Sequence, residues 1–204
     1  MKRIILYLII FIIFTSLIIS CPIITNWDRS IIISIQNLLK DLPIIIPMLP
    51  DCKLYSIMIT LPLVIGSIFF IRNKKYLDII FLLSIPLLTF IINCILKPLI
   101  HRARPPFELQ ISTIHPDSFS YVSSHSLVTF CLWAFVIYYT NKYIKNKITK
   151  NIIIIISVLW ILFVGFSRIW LGVHNFTDVL GAYILGFILF ELYQNLRKIL
   201  CKKF

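Results

Sequence analysis

Six apolar stretches, each at or near the length that crosses a bilayer, constrain this chain more than any other feature. They run from about Ile4 to Ile24, Leu54 to Ile71, Tyr76 to Leu96, Ser126 to Thr140, Ile152 to Phe166 and Val179 to Leu196. A helix needs about 20 apolar residues to cross the hydrocarbon core. Lipid offers no partner to a loose backbone, so such segments fold as packed helices. The composition agrees, with 59% hydrophobic and 14% charged residues. A soluble domain holds about 25% charged residues, and a disordered chain is far less apolar. The five cysteines form no CxxC pair and suit neither a disulfide framework nor a zinc site. The expectation is an all-α, polytopic membrane bundle of six transmembrane helices, forming a single domain over residues 1–204.

Charge sets the orientation. The chain carries +12, which in a soluble protein would raise the question of nucleic acid. Here it reads as membrane topology, because basic residues collect in cytoplasmic loops, and no nucleic-acid partner is expected. With the N-terminus inside, 13 Lys and Arg fall on the cytoplasmic side and 7 on the other. Both termini are therefore expected in the cytoplasm of a bacterial inner membrane. The Ile18-Ile19-Ser20-Cys21 run resembles a lipoprotein cleavage box, but Pro22 follows directly and an uncleaved first helix is expected. The segment from Asn26 to Lys53 reads as a short amphipathic helix at the outer interface, followed by a Pro-broken approach to the second span. It is expected to act as a lid or packing element without chemistry.

Three polar clusters interrupt the apolar pattern. The first is Lys97-Pro98-Leu99-Ile100-His101-Arg102-Ala103-Arg104-Pro105-Pro106. The second is Tyr121-Val122-Ser123-Ser124-His125-Ser126. The third runs from Ser167-Arg168 to His174-Asn175-Phe176-Thr177-Asp178. Counting spans places all three at the same, outer, face. Lys97, Arg104 and Arg168 with helix N-terminal amides make a site for a dianionic phosphate. Lys97 and Arg104 are seven apart and share a face if the helix persists past Pro98. His174 and Asp178 stand four apart, so the carboxylate can fix one ring nitrogen and leave the other as a nucleophile. His125 is then available to protonate a leaving oxygen. Ser123 has two readings, a phosphate contact or a cap for the fourth helix. Arg102, His101 and His115 read as surface residues near the mouth.

These clusters resemble the type 2 phosphatidic acid phosphatase superfamily, the lipid phosphate phosphatases, whose motifs are K-x6-R-P, P-S-G-H and S-R-x5-H-x3-D. Lys97 to Pro105 and Ser167 to Asp178 match without a gap. The middle motif matches at Ser123 and His125, with Val122 in place of Pro and Ser124 in place of Gly. The resemblance implies His174 as nucleophile through a phosphohistidine and His125 as acid. It also implies Asp178 as partner of His174, with Lys97, Arg104, Ser123, Ser124 and Arg168 holding phosphate. No metal and no cofactor is expected, since the cations are side chains. The expected substrate is a membrane lipid phosphate or pyrophosphate, with undecaprenyl pyrophosphate or lipid A favoured. A lipid-to-lipid phosphotransferase would use the same residues. A non-catalytic lipid-binding or transport protein on a decayed site is the competing class. Nothing in the sequence sets an oligomeric state.

Overall fold

The computed structural model describes residues 2–48, 53–112 and 117–200. His115 and Phe204 lie outside the described residues. Within them the regular structure is entirely helical: α1 (Lys2–Ser20), α2 (Pro22–Leu38), α3 (Ile45–Met48), α4 (Lys53–Arg72), α5 (Tyr76–Ile100), α6 (Ser124–Tyr143), α7 (Lys147–Trp170) and α8 (Phe176–Leu200). A 3-10 turn, Phe107–Leu109, lies in the loop between α5 and α6.

The first apolar stretch is two helices rather than one. Cys21 adopts an extended backbone and Pro22 opens α2. A proline lacks the amide that helix interiors require, yet suits a first turn. The bundle is apolar outside as well as inside. Ile12, Ile65, Ile80, Phe90 and Leu159 are all exposed, as a lipid-facing surface demands.

Five helices, α1, α4, α5, α7 and α8, are long and apolar enough to cross a membrane. The helix corresponding to the sixth expected span, α6, has 20 residues but is more polar. Its position explains its composition. It packs on α4, α5, α7 and α8, so protein rather than lipid surrounds it. Leu127, Thr129 and Leu132 are fully buried, and Phe130, Trp133 and Phe135 join Phe70, Leu82 and Val164 in the main core. A second cluster packs Phe11 and Ile18 of α1 against Tyr121, Val122, Leu127 and Ala182.

The polar contacts sit mainly at the two ends of the bundle. At one end Arg197 of α8 grips Asp78 of α5 at 2.6 Å and Tyr139 of α6 at 3.1 Å. At the other end the C-termini of α5 and α7 meet the N-termini of α6 and α8, and there the three sequence clusters converge.

Candidate active site

The site begins with two helix ends. α7 stops at Trp170, and Leu171, Gly172, Val173 and His174 turn the chain into α8. Gly172 makes the turn with φ +69, where a Cβ would collide with the carbonyl oxygen of Leu109. Only glycine reaches this conformation without strain. The amides of Val173 and His174 both donate to the Arg168 carbonyl at 3.2 Å, which fixes the loop to the last turn of α7.

His174 is buried, and its two ring nitrogens face different partners. Nδ1 lies 3.4 Å from Oδ2 of Asp178 and 3.4 Å from Oγ of Ser120. Nε2 lies 3.4 Å from Nη1 of Arg104. Burial pushes the imidazole down to about 3, against the opposing pull of Asp178. The ring is therefore neutral at ordinary pH, the state in which one of its nitrogens keeps a lone pair. Asp178 is completely buried in the first turn of α8. Its Oδ2 accepts from the Asn175 amide at 2.8 Å and from Ser120 Oγ, and its Oδ1 accepts from Arg102.

The cations approach from α5 and the loop behind it. α5 ends at Ile100, because His101 turns left-handed at φ 51. The single helical face expected for Lys97 and Arg104 therefore does not form; Arg104 reaches the site from the loop. Its guanidinium is fixed by Val173 O at 2.6 Å and Ser118 O at 2.7 Å. Lys97 Nζ donates to Phe119 O at 2.8 Å. Arg168 is buried in the last turn of α7, with Nε on Ser167 Oγ at 3.2 Å and Nη2 3.5 Å from Pro47 O of α3.

The middle cluster opens α6. Ser123 is its cap: Oγ accepts from Ser126 N at 3.4 Å and from Ser126 Oγ at 2.9 Å. The Ser123 amide donates to Asp178 O at 3.3 Å. Both polar groups of Ser123 are thus engaged within the protein. The Ser124 and His125 amides sit in the first turn, where helix geometry orients such groups toward an anion. Ser124 is helical with negative φ, so this chain does not need the freedom of glycine there. His125 packs its ring on Tyr55 of α4, 4.9 Å between centroids. Val122 is wholly buried in the second core cluster.

One further expectation needs correction. Arg102 is not a surface residue at the mouth; it is buried and bonded to Asp178 and Asp28. The segment expected as a lid or packing element contains α2, which packs on the site end and brings Asp28, fully buried, to the start of α8. One sequence signal points there. Asp28 falls in register with Ile32 and Gln36, so a carboxylate lies on the buried stripe of an amphipathic helix. Ser120 carries no such signal, since its role comes only from the path of the loop.

The arrangement has counterparts. Residues 78–198 match the PAP2 superfamily. Phosphatidylglycerophosphatase B of Bacillus subtilis (strain 168) is 36% identical over 142 residues, covering 69% of this chain and 68% of its own length. A PA-phosphatase related-family protein of Dictyostelium discoideum is 26% identical over 178 residues, which is 77% of this chain and 66% of that protein. The crystal structure described as the first transmembrane PAP2 type phosphatidylglycerolphosphate phosphatase from Bacillus subtilis aligns with a TM-score of 0.76. That alignment has 28% sequence identity and covers 97% of each chain. With its helical membrane fold and its three clusters gathered around His174, the chain belongs to the PAP2 superfamily and is a membrane lipid phosphatase.

Proposed function

We propose that this protein removes the terminal phosphate of phosphatidylglycerol phosphate through a phosphohistidine on His174. The observation that carries the chemistry is the two-sided environment of His174. A carboxylate stands at Nδ1 and a fixed guanidinium at Nε2. Nδ1–H donates to Asp178, which leaves the Nε2 lone pair to attack phosphorus. The Nε2–P bond forms as the P–O bond to the lipid breaks, and His125 gives its proton to the departing oxygen. Water then attacks phosphorus, its proton passes to His125, and the Nε2–P bond breaks. Lys97, Arg104, Arg168 and the first amides of α6 stabilise the charge that builds on the equatorial oxygens.

The choice of lipid rests on the name carried by the Bacillus subtilis relative and by the aligned crystal structure. Nothing in those comparisons selects undecaprenyl pyrophosphate or lipid A. The test is a panel of phosphatidylglycerol phosphate, phosphatidate, undecaprenyl pyrophosphate and lipid A, presented in vesicles to the purified protein. Released phosphate should be fastest from phosphatidylglycerol phosphate, by about tenfold or more in kcat/KM. A preference for either envelope lipid would reassign the substrate. Label appearing on a second lipid rather than as free phosphate would make the protein a phosphotransferase.

A further inference from the structure

Asp178 has two carboxylate oxygens, and only Oδ2 faces His174. The other is tied into a buried ring of polar groups that reaches across the fold. Arg102 Nη1 donates to Asp178 Oδ1 and, at 2.8 Å, to Thr177 Oγ1. Arg102 Nη2 donates to Asp28 Oδ2 at 2.7 Å. Asp28 in turn accepts from the Thr177 amide at 3.0 Å and from Thr177 Oγ1 at 2.6 Å. A carboxylate from α2 thereby caps the first turn of α8, the helix that carries Asp178. Nothing local in α2 requires this acid. The helix is held to the site end at successive turns, by Asp28, by Ile32 against Ile169 and Val179, and by Gln36 on the Leu109 and Trp170 carbonyls at 2.8 and 3.0 Å.

We propose that Asp28 and Arg102 are positioning residues for the His174–Asp178 pair, and that Asp28 sets the net charge this pair presents to the phosphoryl group. The inference rests on His174 being the nucleophile. Arg102 alone would cancel the charge of Asp178. Asp28 offsets Arg102, so the trio carries one net negative charge. That charge favours the cationic ring that develops as the Nε2–P bond forms. The charged groups facing His174 are Asp178 of α8, Arg104 of the loop behind α5 and Lys97 of α5. The two cations act against the developing ring charge, which is why the carboxylate side must keep its surplus. Arg102 also bridges both acids, a task its fork can perform and a lysine cannot.

The experiment uses full-length Asp28→Asn, Arg102→Gln and the double variant, each checked for folding by thermal melting. Single-turnover phosphorylation by labelled phosphatidylglycerol phosphate is read across pH. The amide that Asp28→Asn introduces keeps one oxygen to accept from Thr177 or Arg102 but turns its NH2 toward a group that had donated to Asp28, so loss of charge is separated from loss of contact by the double variant. Asp28→Asn should lower kcat about tenfold or more with KM within about twofold. Arg102→Gln leaves two unbalanced acids and should move the acid limb of phosphorylation to higher pH. The double variant restores one net negative charge; its kcat should exceed that of Asp28→Asn, and its acid limb should return toward wild type. A purely structural ring predicts the reverse, with the double variant at least as poor as either single one and no pH movement. If Asp28→Asn does not fold, the pH shift of Arg102→Gln and its reversal in the double variant decide the matter. Absence of acid-labile label on His174 in the wild type overturns the nucleophile assignment and this inference together. Label in the wild type with unchanged kinetics in the variants overturns this inference alone.

Discussion

Arg104 holds its guanidinium 3.4 Å from Nε2 of His174 by donating at 2.6 Å to the carbonyl of Val173, the residue before that histidine. Cation and candidate nucleophile are therefore fixed to the same short piece of backbone. Any phosphoryl group reaching Nε2 meets a donor whose distance is already set. Such preorganised charge is what lowers the barrier in phosphoryl transfer.

Arg104→Lys is expected to keep the fold and lose about 10²-fold in kcat. A lysine supplies a point charge but not the fork that bonds Ser118, Val173 and the phosphoryl site together. Turnover and thermal melting measured on the same preparation check this. Activity within about threefold of wild type would mean that the guanidinium geometry is not used.

The neutral state of His174 sets a pH expectation. Its value is depressed to about 3 by burial, whereas an unfolded histidine titrates near 6.5. Between those values the unfolded chain binds a proton that the folded chain refuses. The folded state therefore loses stability as pH falls through this window and is unaffected by His174 above it. His174→Gln should show a shallower fall in melting temperature between about pH 7 and 4 than the wild type. Parallel curves would show that His174 is not held neutral.

Gly172→Ala should damage fold and activity together. The positive φ costs ~1–3 kcal/mol for a residue with a Cβ, and the new methyl meets Leu109 O. Relief requires the turn to move, and His174 moves with it. The check is a drop in melting temperature accompanied by loss of phosphoenzyme. Alanine tolerated on both counts would disprove the tight approach of this turn to Leu109.

A reporter fused after Phe204 is expected on the cytoplasmic side, and the thiol of a Gln110→Cys variant should react with an impermeant reagent from outside. Removing Lys97, Arg104 and Arg168, which the proposed site assigns to phosphate rather than to topology, sharpens the basic split from 13 against 7 to 13 against 4. Protection of that thiol from outside, with labelling only after the membrane is opened, would place the site on the inner leaflet.

The motif residues were legible because their spacing is local: His174 and Asp178 are one helical turn apart, and Lys97 to Pro105 is continuous. Helix positions were legible from hydropathy for the same reason. The ring that supports Asp178 was not. Asp28, Arg102 and Ser120 lie 150, 76 and 58 residues from Asp178; the register of Asp28 with Ile32 and Gln36 marks it as buried but does not name its partners, and Arg102 and Ser120 carry no mark at all. Arg102 shows the difficulty well, because two positions before Arg104 it faces an entirely different partner. The left-handed turn at His101 decides this, and a Lys–Pro–Leu–Ile–His run does not announce it.

The polarity of α6 bears on how the protein is made. The five apolar helices can each enter a bilayer on the strength of their own side chains. α6 begins with Ser-His-Ser, ends with Thr-Asn-Lys-Tyr and is shielded by its neighbours. Alone in lipid it would leave Ser126, Thr129 and the polar residues at its two ends without protein around them, and its seating there is complete only once α7 and α8 have joined α4 and α5 around it. During synthesis those two helices emerge after it. The segment that opens with Ser124 and His125 must therefore wait near the interface until the chain behind it is complete. A ribosome stalled before α8 would hold a protein that has its cations but not its Asp178, and with the helix at its centre not yet seated.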